Sequence, residues 1–312
     1  MKKVAKYTLY TLLVLFIFLN IVAYRHSVSS TTYENCKNIK IALDKLSTSQ
    51  KLKMALSGMT LCKSSNDSTL SVPYKTIIVN SNNYQLECWK ATNDSTKGTM
   101  ILFHGYGTCK SYLKNHAEFF YKKGYTVFLV DFYGAGGSSG NSTTIGYNEA
   151  INVKDVFDFV EKGGEENIYI YAQSMGAAAT LKAIKDYGIS PKAILLESPF
   201  DKMYAAVTAR FKLLKIPPFP MAAMLTFWGG VKDGFWAFNH NPIEYAQSVN
   251  SPVLLMHGML DTRVSKEETE RIADSFNKRP ETVYFQKSEH CKFLVNDRVE
   301  WEHTVLDFLA KN

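Results

Sequence analysis

The sequence predicts an α/β fold, a mostly parallel central sheet with helices on both faces. Two observations carry this. From Tyr74 onward, short apolar runs rich in β-branched residues alternate with helical patterns, as expected for strands joined by crossover helices. Near the middle, Asn167-Ile168-Tyr169-Ile170-Tyr171 runs into Ala172-Gln173-Ser174-Met175-Gly176, and a helical pattern through Leu181, Ala183 and Ile184 follows. That is a strand, a sharp turn and a helix, with Ser174 at the apex. In such sheets functional residues gather at the carboxyl ends of the strands.

The elements can be taken in order. The 312 residues allow one large domain or two average ones. Residues 1–30 predict a membrane anchor or a signal peptide. The run Tyr7–Tyr24 is broken only by Thr8, Thr11 and Asn20, and Lys2, Lys3 and Lys6 precede it. It is near the minimum for spanning a bilayer and longer than a typical signal-peptide core. Ser27-Val28-Ser29 offers a small-x-small cleavage site, so secretion after cleavage stays open. The basic flank places the N-terminus in the cytoplasm and the rest outside it or in a lumen.

The net charge of +7 does not point to nucleic acid. Up to Lys63 there are ten Lys/Arg against Glu34 and Asp44, a balance of +8, so the remainder sums to −1. Residues 31–70 predict a basic helical juxtamembrane segment and linker. Ile39, Leu43 and Leu46 form one stripe, and Leu52, Ala55, Leu56 and Met59 continue it after Ser47-Thr48-Ser49. Such a face can rest on an anionic membrane or simply on solvent. The five cysteines, Cys36, Cys62, Cys88, Cys109 and Cys291, lack metal-ligand spacing. Cys36 and Cys62 could pair in an oxidising compartment or remain free thiols.

Residues 71–312 form the predicted main domain. Tyr74–Val79 and Tyr84–Lys90 read as a hairpin through Asn80-Ser81-Asn82-Asn83. Further strands are expected at 99–103, 125–130, 167–171, 192–196, 252–256 and 281–285. Helices are expected at 112–123, 145–161, 267–276 and 298–310. An insert at about 198–240 carries Phe211, Leu213, Leu214, Ile216, Phe219, Phe227, Trp228 and Trp236 among other apolar residues.

The strand ends carry the chemistry. A serine needs a base to take its proton and a turn that lifts it clear of its own backbone. Beyond Ser174, the strand 252–256 runs into His257-Gly258-Met259-Leu260-Asp261, and the strand 281–285 leads toward Ser288-Glu289-His290. The strand 99–103 runs into His104-Gly105-Tyr106-Gly107, and 125–130 into Asp131-Phe132-Tyr133-Gly134-Ala135-Gly136-Gly137-Ser138-Ser139-Gly140.

With these motifs in this order, the chain resembles the α/β-hydrolase superfamily from about Tyr74 to its end. Within it, the chain is most similar to serine-aminopeptidase-like and monoacylglycerol-lipase-like hydrolases. Ala172 departs from the usual Gly-x-Ser-x-Gly pattern. The resemblance implies a triad of Ser174 as nucleophile, His290 as base and Asp261 as its orienter. It implies an oxyanion hole of the Tyr106 and Met175 backbone N–H groups. It requires neither cofactor nor metal, and it makes the 198–240 insert a helical cap over the site.

His104, His257 and Asp131 read as residues that order their loops. Gly134-x-Gly136-x-x-x-Gly140 resembles a dinucleotide loop, but the next helix starts too late for one, so a structural turn is expected. The partner class is a small-molecule or lipid acyl substrate, with no nucleic acid. The expected activity is a membrane-anchored serine hydrolase acting on an ester or related acyl compound. An aminopeptidase or acyltransferase on the same triad, or a non-catalytic binding protein, is the alternative.

Overall fold

The computed structural model describes residues 2–36 and 47–312. The upstream stripe Ile39, Leu43 and Leu46 lies outside the described residues. Helix α1 (Lys2–Thr31) is, among the described residues, the one helix long and apolar enough to cross a membrane. The Thr8 and Thr11 hydroxyls and the Asn20 amide donate to carbonyls one turn back, so the polar side chains in the apolar run are satisfied within the helix.

After α1 the structure departs from the expected run of helix. Strand β1 (Tyr33–Glu34) pairs in parallel with β2 (Leu61–Cys62), and a disulfide joins Cys36 to Cys62. Helix α2 (Thr48–Ser57) lies between them, begun by a capping box of Ser47 and Gln50. The polar stretch after β2, expected as a linker, lies against the main domain. The Gly136 N–H donates to the Ser64 carbonyl at 3.1 Å, and the Asn66 amide to the Asp131 carboxylate at 2.8 Å. Its polar side chains serve tertiary hydrogen bonds, which no sequence period reveals.

The main sheet has eight strands in the order β10-β9-β8-β7-β5-β6-β4-β3. They are β3 (Lys75–Ser81), β4 (Tyr84–Ala91), β5 (Thr99–Phe103), β6 (Thr126–Val130), β7 (Ile168–Gln173), β8 (Ala193–Glu197), β9 (Val253–Gly258) and β10 (Glu281–Phe285). β4 is antiparallel to both β3 and β6, and the other pairings are parallel. The hairpin turn is Asn82-Asn83, tighter than expected, because Asn82 adopts φ 50°, a left-handed conformation that asparagine tolerates.

Alternation along the strands builds two cores. Ile101, Phe103, Phe128, Ile170 and Leu196 face α4 (Glu149–Lys162), α5 (Met175–Tyr187) and α9 (Lys266–Ser275). Met100, Leu102, Tyr171 and Leu195 face α3 (Lys114–Lys122) and α11 (Arg298–Lys311), where Trp301 is fully buried. The insert holds α6 (Met203–Leu213) and α7 (Met221–Asp233). Short helices α8 (Pro242–Tyr245) and α10 (Phe293–Asn296) complete the set named here.

Helix α4 starts four residues later than its periodicity suggests. Ile145 (φ 56°) and Gly146 (φ 102°) form a turn instead. The buried Glu149 carboxylate holds that turn, accepting from both Thr143 and Thr144 hydroxyls and from the Thr144 and Gly146 N–H groups.

The loop after β6 is a structural turn, as the late helix start suggested. A Cβ at Gly134 would stand 2.2 Å from the Ser142 carbonyl oxygen. Asp131 accepts from the Gly137 N–H at 2.9 Å and pairs with the fully buried Lys110 ammonium at 2.5 Å, and Glu87 lies 2.7 Å from the same ammonium. Removing one partner of a buried pair strands the other charge, at a cost of about 3–5 kcal/mol. Lys110→Met is therefore expected to lower unfolding stability by about that amount in chemical denaturation. Adding Asp131→Asn to the same chain should recover part of the loss; no recovery would mean that packing around Lys110, rather than charge, dominates.

Candidate active site

The turn at Ser174 follows from its neighbours. β7 ends at Gln173 and α5 begins at Met175, so a single residue makes the turn. Ser174 takes φ 49° and ψ −109°, a conformation few non-glycine residues adopt. Its N–H donates to the Glu197 carbonyl at 2.8 Å, tying it to the end of β8. Gly176 allows α5 to start this close to β5: a Cβ there would stand 2.8 Å from the carbonyl oxygens of Phe103 and His104. Ala172, where a glycine is usual, is fully buried within the sheet core and needs no such clearance.

Three strand ends then converge. His290 Nε2 lies 3.0 Å from Ser174 Oγ, and His290 Nδ1 lies 2.6 Å from Asp261 Oδ2. The carboxylate can only accept, so Nδ1 carries the proton and Nε2 is left to accept the Ser174 hydroxyl proton. Burial pushes the Asp261 carboxyl up, but the His290 hydrogen bond and charge outweigh it, helped by the Arg263 and Val264 N–H groups. Its pKa is held below the ordinary carboxylate value. Asp261 is therefore ionised at neutral pH.

Tyr106 and Met175 flank Ser174. The Met175 N–H sits in the first turn of α5, where no intrahelical acceptor exists, and that helix end favours negative charge. The β5–α3 loop approaches Ser174 so closely that a Cβ at Gly105 would stand 3.6 Å from Ser174 Cβ. The Tyr106 hydroxyl donates to the Ser30 carbonyl at 2.5 Å, and the Arg210 guanidinium lies 4.7 Å over its ring. The last turn of α1 and the cap helix α6 thus both hold the loop that carries Tyr106. On the other side of Tyr106, the Thr143 N–H donates to the Thr31 carbonyl and its hydroxyl contacts Met175 Sδ at 3.5 Å.

His104 and His257 are ordering residues here. His104 donates from Nδ1 to the Gly105 carbonyl at 2.8 Å and accepts the Phe132 N–H at Nε2, joining the loops after β5 and β6. His257 contacts the Thr269 hydroxyl on α9 at 3.0 Å, rather than its own following loop. Burial lowers the pKa of both. Cys291 is buried beside the site, and burial pushes its thiol well above the ordinary value. Among the described residues, no group of His, Cys, Asp and Glu is arranged to hold a metal ion.

Sequence reasoning did not single out Glu197. Its carboxylate is fully buried beside the Ser174 turn, accepting from Trp301 Nε1 at 2.9 Å and Gln173 Nε2 at 2.8 Å. Burial pushes its pKa up to about 7, and these donors only partly offset it. Its place at the end of β8, level with Gln173 in the ladder, was the available signal.

Comparison with known proteins now bears on this geometry. A family model described as serine aminopeptidase, S33, matches residues 94–231. The uncharacterized protein YqkD of Bacillus subtilis (strain 168) is 22% identical over 238 residues, covering 75% of this chain and 78% of that protein. Among solved structures, the Pyrococcus furiosus esterase PF2001 superposes with a TM-score of 0.68 at 23% identity, covering 80% of this chain and 96% of the esterase. The α/β hydrolase GrgF from Penicillium sp. sh18 gives 0.63 at 16% identity, over 77% and 99%. The chain has the α/β-hydrolase fold. Together these likenesses support a hydrolase.

The raised Glu197 pKa sets a pH dependence of stability. In the unfolded chain this carboxyl loses its proton near 4.5, whereas in the folded one it keeps it to about 7. The folded state thus binds the extra proton, so stability falls as pH rises across that window, by up to about 3 kcal/mol for this group. Chemical denaturation at pH 5 and pH 8 should show the fall, and Glu197→Gln should flatten it. An unchanged pH slope in the variant would refute the assignment.

Proposed function

We propose that the chain is a membrane-anchored serine hydrolase that cleaves a carboxylic ester or related acyl substrate through an acyl-enzyme. The observation that carries this reading is the Ser174–His290–Asp261 hydrogen-bonded chain at the ends of three strands. In the proposed cycle the Ser174 hydroxyl attacks the acyl carbonyl while its proton passes to His290 Nε2. The carbonyl oxygen becomes an oxyanion facing the Met175 and Tyr106 N–H groups. Collapse expels the alcohol, which takes the proton from His290. Water then attacks the acyl-enzyme with His290 again as base, releasing the acid and restoring Ser174.

The anchor reading rests on separate observations. Ser27 and Thr31 are buried against the domain, and Ser30 bonds Tyr106. Cleavage near Ser27–Ser29 would therefore cut through a packed segment of the site's own wall. The Cys36–Cys62 disulfide fits an oxidising compartment, and Lys2, Lys3 and Lys6 favour a cytoplasmic N-terminus. Together they support a catalytic domain outside the cytoplasm.

The test is hydrolysis of p-nitrophenyl esters of graded chain length by membranes carrying the full chain. Ser174→Ala should reduce turnover to background. Asp261→Asn should reduce it by about 10³–10⁴-fold with circular dichroism unchanged, because the wrong tautomer would face the serine. Activity should survive alkaline washing of the membranes and be absent from the medium. Full activity in Ser174→Ala would reject the mechanism; activity released into the medium would reject the anchor.

A further inference from the structure

Helix α1 does not leave the domain alone. Its Asn20 side-chain Oδ1 accepts from Trp228 Nε1 at 3.1 Å, and its Tyr24 ring meets the Trp228 ring edge-on at 5.5 Å. Trp228 is on cap helix α7. The two helices start from the same region. The Thr31 carbonyl is bonded by the Thr143 N–H, and in the same loop the Tyr147 ring stacks at 4.1 Å on Phe235, which follows the end of α7. From there both run away from the domain, α7 backward toward Met221 and α1 backward toward Lys2. The turn between α6 and α7 therefore points along α1 toward its free end.

Helix length decides what this means in a bilayer. The hydrocarbon core is about 30 Å thick and needs about 20 helical residues. The part of the apolar run that stays exposed up to its contact with α7, Tyr7–Phe18, rises only about 18 Å. Counting about 20 residues outward from Lys6 brings the far boundary near His26. Asn20 and Tyr24, the residues that hold Trp228, then lie inside the outer leaflet and at its edge.

The surface beyond that level, toward the free end of α1, fits lipid. Leu213, Leu214, Ile216 and Phe219 form an exposed apolar tip on the α6–α7 turn, with Leu214 65% and Phe219 76% exposed. Lys212 and Lys215 flank it, placed to keep their ammonium groups among anionic headgroups. Arg210, near the end of α6, covers the Tyr106 ring, so the same hairpin reaches the loop beside Ser174.

We propose that the α6–α7 hairpin is a membrane-docking surface, continuous with α1, inserted into the outer leaflet. The occupant of its apolar tip is the lipid bilayer. On the hydrolase reading above, the substrate class narrows to an acyl lipid resident in that leaflet, reaching Ser174 without crossing water.

The experiment uses the full chain reconstituted into phosphatidylcholine–phosphatidylglycerol vesicles. Cys88, Cys109 and Cys291 are buried and Cys36 is bridged to Cys62, so an introduced surface thiol is the reactive one. Phe219→Cys carrying an environment-sensitive fluorophore should be quenched several-fold more by spin-labelled acyl chains than the same fluorophore at exposed Val299→Cys on α11. Equal quenching at the two positions overturns the docking surface. This readout needs no turnover, so it stands even if the hydrolase reading fails. For the substrate class, Leu214→Glu with Phe219→Glu should cut hydrolysis of a vesicle-borne long-chain ester about tenfold and leave a water-soluble short-chain ester unchanged. Equal loss on both esters overturns that part.

Discussion

The site depends on a serine held at φ 49° between β7 and α5. Such a conformation costs on the order of 1–3 kcal/mol and persists only where the surroundings over-determine it. Here the surroundings do so from three sides. The Glu197 carbonyl fixes the Ser174 N–H, the bare Cα of Gly176 lets α5 abut the end of β5, and the loop after β5 closes over the serine at Gly105. The strain lifts Oγ off the backbone to where His290 can reach it. Every other feature of the site is placed relative to that turn.

The N-terminal segment joins this scheme rather than hanging from it. The last turns of α1, the short β1–β2 ladder and the stretch after it are laid along the loops that carry Tyr106, Asp131 and Thr143. The helix that can hold the protein in a membrane therefore also braces the candidate oxyanion loop. The apolar helix and the loop it braces share one set of hydrogen bonds, and the cap helix α7 takes part through Trp228.

Much of this was legible in the sequence, for identifiable reasons. Strands buried on both faces read as plain apolar runs, so β5, β6, β7, β8 and β9 could be placed to within a residue or two. Ser174, Asp261 and His290 stood out because each follows such a run, and the structure brings them together. What escaped was carried by long-range contacts. Lys110, Glu149 and Glu197 are buried charges or acids whose partners lie on other elements, and a charged residue in a loop looks solvated from sequence alone. The stretch 64–71 looked like a linker for the same reason. The start of α4 was misplaced because a carboxylate four residues on shapes the turn before it.

The central claim is that this geometry activates Ser174. The most direct measurement is covalent labelling of the detergent-solubilised full chain with a fluorophosphonate, followed by mass spectrometry of the modified peptide. The expected result is one adduct, on Ser174, formed slowly in Asp261→Asn and absent in Ser174→Ala. A folded wild-type chain that takes up no label, or takes it up elsewhere, would contradict the account.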